Sequence, residues 1–184
     1  MRYKIRDQVG MNFLTFTVVD WLDVFTRSVY SNIIIESIKH CQDHKGLIIY
    51  AYVIMSNHIH LIGRAGGEMI LSDIIRDFKR HTTTTILKAI ATNKKESRRE
   101  WMLNHFKLSQ AGGHQFWQKG NRPIELYSTN VIWQKINYIH LNPVRSKIVV
   151  EPEHYLYSSA TNYATGMGLI DVVLIDDFGV EVEE

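Results

Sequence analysis

Tyr50-Ala51-Tyr52-Val53-Ile54-Met55-Ser56-Asn57-His58-Ile59-His60-Leu61-Ile62 is the stretch whose reading decides the fold. Aromatic and β-branched residues flank two small polar ones, so it reads as two β-strands joined by a tight Ser56-Asn57 turn. Side chains alternate faces along a strand, which sends His58 and His60 to one side and Ile59 and Leu61 to the other. Two positions at a rise of roughly 3.3 Å per residue lie about 7 Å apart, so the two imidazoles can share one divalent ion if their rotamers converge. A polar sheet face is the plainer reading of the same spacing, since nine histidines are scattered through the chain.

Outward from the hairpin, Asn12 to Val19 is rich in β-branched and aromatic residues and reads as a strand. Ser31 to Gln42 is helical, with Ile34, Ile38 and Cys41 on one stripe. Gly66-Gly67 breaks the chain, and Ser72 is placed to cap a long helix from about Asp73 to Asn93. Ile74, Phe78, Ile86 and Ile90 form its buried side, leaving Arg76, Lys79, Arg80 and Lys88 for the exposed one. A basic connector, Lys94 to Arg99, leads to the amphipathic run Trp101 to Phe106. Phe116 to Lys119, bracketed by glycines, reads as a short strand. A helix from Asn130 ends near Asn142 because Pro143 follows, and a late strand is expected around Val172 to Ile175.

The order strand, helix, strand, strand, helix, strand predicts a ferredoxin-like (RRM-like) α+β sandwich. In that fold helices cover one face of an antiparallel sheet, and His58 and His60 belong on the open face. One domain is expected over residues 1–163, with residues 164–184 as an acidic C-terminal extension.

On a helical wheel, Ile132, Ile136 and Ile139 fall within about 60° of one another as the buried stripe of the Asn130–Asn142 helix. Tyr138 and Asn142 lie one turn apart, about 40° from each other and roughly 100° off that stripe. A boundary tyrosine and a C-capping asparagine would look the same from the wheel.

With 45% hydrophobic and 22% charged residues, the 184-residue chain has the composition of a soluble globular domain. No apolar run reaches the length of a membrane span, no secretory signal is apparent, and Cys41 is the single cysteine. A reducing, cytoplasmic setting is expected. The net charge of +2 hides an asymmetry. Asp171, Asp176, Asp177, Glu181, Glu183 and Glu184 gather in the last fifteen residues, and setting them aside leaves 21 bases against 13 acids. A body at +8 suits a polyanionic partner.

Met55-Ser56-Asn57-His58-Ile59-His60-Leu61-Ile62, taken with Tyr138-Ile139-His140-Leu141-Asn142-Pro143-Val144-Arg145, resembles the single-tyrosine transposases of the HUH endonuclease superfamily, in particular the REP-associated tyrosine transposases. Leu71 to Arg80, Phe116 to Gly120 and Tyr155 to Ser159 support the likeness, in order, from about Asn12 to Tyr163. The resemblance implies that His58, His60 and Asn142 hold Mg²⁺ or Mn²⁺ and that Tyr138 attacks a phosphodiester of single-stranded DNA. A covalent 5′-phosphotyrosine then conserves the bond energy for strand transfer in DNA transposition. Relatives often carry glutamine at the third ligand position, and Asn142 is one methylene shorter.

The chemistry suits these residue types. A phenol needs a metal or base beside it to favour the phenolate, and two imidazoles with an amide leave coordination positions open for phosphate and water. The implied partner is hairpin DNA with single-stranded flanks, as in REP-like palindromes, and the protein would be nucleoid-associated when bound. Among the bases available to phosphates are Arg76, Lys79, Arg80, Lys119, Arg122 and Arg145; Trp117 and Tyr157 are candidates for stacking on bases. Each has a plainer reading, as a solvated helix face or a core aromatic. His140 projects to the opposite flank from Tyr138, in a structural or DNA-contacting role. Some relatives exchange the tyrosine helix between subunits, so monomer and homodimer both stay open. Two other functions fit the same residues: a domesticated hairpin-binding protein with little cleavage, and a non-catalytic RNA-binding module. The second lacks the Lys/Arg-Gly-Phe/Tyr signature and has histidines where such a module carries aromatics.

Overall fold

A computed structural model of the chain describes residues 5–107, 113–120 and 123–176. Its strands are β1 (Asn12–Thr17), β2 (Leu47–Ile54), β3 (His58–Ala65) and β4 (Ile124–Glu125). The helices are α1 (Ser28–Lys45), α2 (Leu71–Thr92), α3 (Arg99–Phe106), α4 (Thr129–Arg145) and α5 (Ala160–Thr165). The sheet is antiparallel in the order β2-β3-β1-β4, which is the ferredoxin-like arrangement expected from the element order.

α1 and α2 pack on one face of the sheet. Leu14, Phe16, Tyr52, Ile59 and Leu61 meet Ile34 and Ile38 of α1 and Ile74, Phe78, Ile86 and Ile90 of α2 in one core. Every apolar position assigned to those helices is therefore buried. Gly46 ends α1 at φ +68, and a Cβ there would come within 2.8 Å of the Gly67 backbone, so the turn into β2 requires glycine.

The second face carries Phe13, Ala51, Val53 and Ile62, and against these α4 lays Ile132, Ile136 and Ile139. The isoleucine stripe was legible, but not which surface it covers: α4 crosses the face that bears the histidines, leaving Thr15, Thr17 and His58 half-exposed. Burying a second apolar layer explains why β2 reads as a continuous hydrophobic run. Truncating Ile136, fully buried between α4 and the sheet, should cost about 2–5 kcal/mol. The outer edge of β2 is capped by later chain, through Ile54 N–H to Tyr157 O (2.9 Å), Ser159 N–H to Tyr52 O (3.0 Å) and Val173 N–H to Ile49 O (2.8 Å). Ile170 and Ile175 are buried, so residues beyond Tyr163 pack onto the domain.

Four local expectations are corrected. Phe116–Lys119 is no strand: it makes one bridge, Val18 to Trp117, and the fourth strand is the two-residue β4. Ser72 is not the cap of α2. Ile70 occupies that position, and the Gln8 carboxamide accepts from Ser72 N–H at 3.0 Å instead. Val172–Ile175 forms no strand, although it docks on β2. Finally, α4 runs through Pro143 to Arg145. The ring removes only the N–H that would meet Ile139 O, and the helix then closes in a Schellman pattern, with Lys147 N–H to Val144 O and Ile148 N–H to Pro143 O, both 2.9 Å.

Candidate active site

The β1–β3 register pairs Thr15 with His60 and Thr17 with His58, so period-2 alternation places both imidazoles on the α4 side of the sheet. Their ring centroids stand 4.7 Å apart. His60 is buried, stacked on Phe13 at 5.2 Å, with Nδ1 2.9 Å from Thr15 Oγ1. His58 is held by its neighbour. Asn57 Nδ2–H donates to Trp21 O at 3.1 Å, which turns Oδ1 toward His58; an amide oxygen only accepts, so His58 Nδ1–H is the donor at 2.7 Å. Its Nε2 lone pair is thereby left free. Burial pushes the His60 imidazole down to about 3, with the charges of His58 and Lys135 adding to the effect. Burial also lowers His58. Both rings are neutral at physiological pH, the state that binds a metal.

α4 brings Tyr138 to this pair. Its hydroxyl lies 3.4 Å from His60 Nε2, and its ring packs on Phe13 and His60, at 6.0 and 5.2 Å between centroids. The residue remains 37% exposed, although its hydroxyl approaches a buried imidazole. Asn142 lies one turn further along the same flank, half-buried, and its side chain makes no hydrogen bond to a described residue. Among the described residues no third histidine, cysteine or carboxylate joins the two histidines.

Two cations frame the tyrosine: Lys135 Nζ lies 5.8 Å and the Arg145 guanidinium 5.7 Å from its ring centroid. Arg145 was among the basic residues assigned to DNA, and Lys135 was missed. Its signal was there, three residues before Tyr138 on the same helical flank. Trp21 was also missed. It meets His58 edge-on at 5.7 Å.

Other assigned residues fall elsewhere. Trp117 is buried among Phe16, Phe25 and Phe78, and its indole N–H donates to Thr82 Oγ1 at 3.0 Å. It is a core residue, closed to base stacking. Tyr157 is half-buried, with its hydroxyl donating to Asn32 Oδ1 at 3.3 Å. Lys79 is not on the exposed side of α2: its Nζ sits 5.2 Å over Phe16, and burial pushes its ammonium down to about 8. Arg76 and Arg80 are exposed but pair with Asp73 and Asp77, on the helical layer across the sheet from the histidines. Lys119 is exposed and follows Gln118, whose N–H bonds Thr17 O at 2.8 Å, near the His58 end of the sheet. Arg122 lies outside the described residues, as do Asp177, Glu181, Glu183 and Glu184. His140 is structural, with Nε2 2.8 Å from Ser159 Oγ and the ring against Tyr163.

A ferredoxin-like sheet with paired strand histidines and a tyrosine-bearing helix defines the class of protein. The family model for IS200-like transposases matches residues 15–119, and the chain belongs to that family of DNA-acting transposition enzymes. The matched span holds His58 and His60 and stops short of α4. Among solved structures, one described as a REP-associated tyrosine transposase bound to a REP hairpin covers 100% of both chains, at TM-score 0.63 and 18% identity, and shares the fold. A candidate transposase from Deinococcus radiodurans covers 76% of this chain and 98% of its own, at 16% identity and TM-score 0.44, too loose a likeness to bear on function. No curated protein sequence matches the chain. Among the described residues no helix is long and apolar enough to cross a membrane.

Proposed function

We propose that the protein is a metal-dependent, single-strand DNA endonuclease and strand transferase acting through Tyr138. The observation that carries this reading is the Tyr138 hydroxyl 3.4 Å from Nε2 of a buried, neutral His60 that also contacts His58. A solved protein of the same fold was captured on a REP hairpin, which supports hairpin DNA with single-stranded flanks as the partner here. The place of action would then be cytoplasmic, at the nucleoid.

The donor set fits a divalent cation. With His58 Nδ1–H given to Asn57 Oδ1, its Nε2 lone pair is free, and Thr15 Oγ1 at Nδ1 of His60 leaves that ring's Nε2 directed at Tyr138. Asn142 supplies a carboxamide without another partner among the described residues. Mg²⁺ or Mn²⁺ is the ion such a family member would use. When bound, the ion polarises the scissile phosphate and offsets the charge that develops on its oxygens. The remaining steps belong to the chain. His60 and Phe13 orient the phenol, while Lys135 and Arg145 draw the phosphate toward it. Tyr138 Oη attacks phosphorus and loses its proton to solvent at the exposed edge of the ring. The P–O3′ bond breaks and the 3′ oxygen takes up a proton. This leaves a 5′-phosphotyrosine and a 3′-hydroxyl, and a second 3′-hydroxyl reverses the exchange to join strands without an external energy source. Residues 1–163 would form the catalytic unit, with 164–184 as its acidic extension.

A labelled hairpin with single-stranded flanks, incubated with Mg²⁺ or Mn²⁺, tests the reading. Wild type should cut it, and His58→Ala should bind it without cutting. Binding with no cutting by wild type in either ion would favour a domesticated hairpin-binding protein.

A further inference from the structure

Trp21 is a large apolar side chain left 58% exposed at the edge of the candidate site. Its indole meets His58 edge-on, with centroids 5.7 Å apart and planes at 72°, and among the described residues it has no other aromatic partner. The backbone beneath it is unusual. Asp20 at φ 52 and Trp21 at φ 58 are consecutive non-glycine residues in the left-handed region, where a bulky side chain is disfavoured. A turn free of other demands would place glycine or asparagine there.

The neighbourhood over-determines this turn. Trp21 N–H donates to Val18 O at 3.0 Å, Leu22 N–H to Val19 O at 3.2 Å, and Val19 N–H to Phe116 O at 2.9 Å. Asn57 Nδ2–H holds the Trp21 carbonyl from the hairpin turn at 3.1 Å. Strain held this firmly gathers at sites that bind or react. The surrounding surface is polar, with Asp20, Ser56, Asn57 and His58 accessible, so the indole is not the centre of an apolar docking patch. A single rigid aromatic plane beside a phosphate-handling site matches the chemistry of an unpaired nucleobase, which presents a π face whatever its identity.

We propose that Trp21 is a stacking platform for one unpaired nucleobase, fixing the nucleotide next to the phosphodiester that lies against His58, His60 and Tyr138. The inference rests on the single-stranded DNA reading and adds to it a base-binding position that is blind to sequence. Trp21 supplies affinity and placement, and discrimination between bases has to come from elsewhere.

The test is fluorescence polarisation in EDTA, where no strand is cut. One probe is a labelled oligothymidylate; the other is a strand of the same length built of abasic deoxyribose phosphates. Trp21→Ala removes the ring. Trp21→Gly removes it and also suits the left-handed backbone, so the pair does not depend on either variant alone folding well; thermal melting is followed for both. Wild type should prefer the thymidylate. Both variants should lose about 5- to 150-fold on it, the span of base-on-aromatic stacking, and nothing on the abasic strand. Variants that bind oligothymidylate as tightly as wild type would overturn the proposal while leaving the DNA-cleavage reading intact. Equal wild-type affinity for the two probes would overturn it as well, and a wild type that binds neither strand would overturn the single-strand reading beneath it.

Discussion

Thr15 Oγ1 and His60 Nδ1 stand 2.9 Å apart across adjacent strands, at positions the β1–β3 register pairs directly. The hydroxyl at Nδ1 anchors the ring with Nε2 facing Tyr138. Partners of this kind set ring orientation and ligand basicity. Thr15→Val keeps the side-chain shape and deletes the hydroxyl. Mn²⁺ affinity by titration calorimetry should fall about 10- to 100-fold while melting temperature changes little. Unchanged affinity would mean that packing on Phe13 alone orients the ring.

The salt dependence of DNA binding should report Lys135 and Arg145, the two cations beside the Tyr138 ring. Changing both to glutamine should flatten the slope of log K against log salt by about 1.4, two phosphates at roughly 0.7 each on a single strand. Arg76 and Arg80 are already paired with Asp73 and Asp77 on the far layer. Their double glutamine variant should move the slope less. The reverse ranking would place the DNA across α2 instead.

Lys79 provides a stability prediction with a definite sign. Burial lowers its folded pKa from 10.5 to about 8. Between those values the unfolded chain holds a proton that the native protein has released, so native stability rises with pH through the window. Below pH 8 the fold carries a half-buried ammonium over Phe16. Lys79→Met should therefore be more stable than wild type at neutral pH, by about 1–3 kcal/mol, and urea melts should show the gap closing toward pH 10. A variant less stable than wild type at neutral pH would show that the contact over Phe16 outweighs desolvation.

The hairpin and the side of the sheet taken by His58 and His60 were legible because strand alternation is a local rule, and the isoleucine stripe of α4 because helical period is another. The surface that receives that stripe is a tertiary matter. The same holds for Trp117, whose indole could equally have faced solvent until Phe16, Phe25 and Phe78 enclosed it. β4 went unseen because two residues, Ile124 and Glu125, are too few to carry a period. Ser72 lost the capping role to Gln8, 64 positions away, a contact that no window of sequence contains. Tyr138 and Asn142 could be singled out as neighbours on one flank, yet only the packing of α4 over β3 brings the phenol to His60.

Everything in the proposed mechanism passes through the hydroxyl of Tyr138. Tyr138→Phe deletes that oxygen and keeps the ring against Phe13 and His60, so folding and hairpin binding should persist. The decisive measurement is a denaturing gel of labelled DNA carrying single-stranded flanks, incubated with Mg²⁺ or Mn²⁺, in which a protein–DNA covalent adduct migrates apart from free strand. Wild type should form the adduct and Tyr138→Phe should form none. An adduct at wild-type level in Tyr138→Phe would contradict the assignment of Tyr138 as nucleophile.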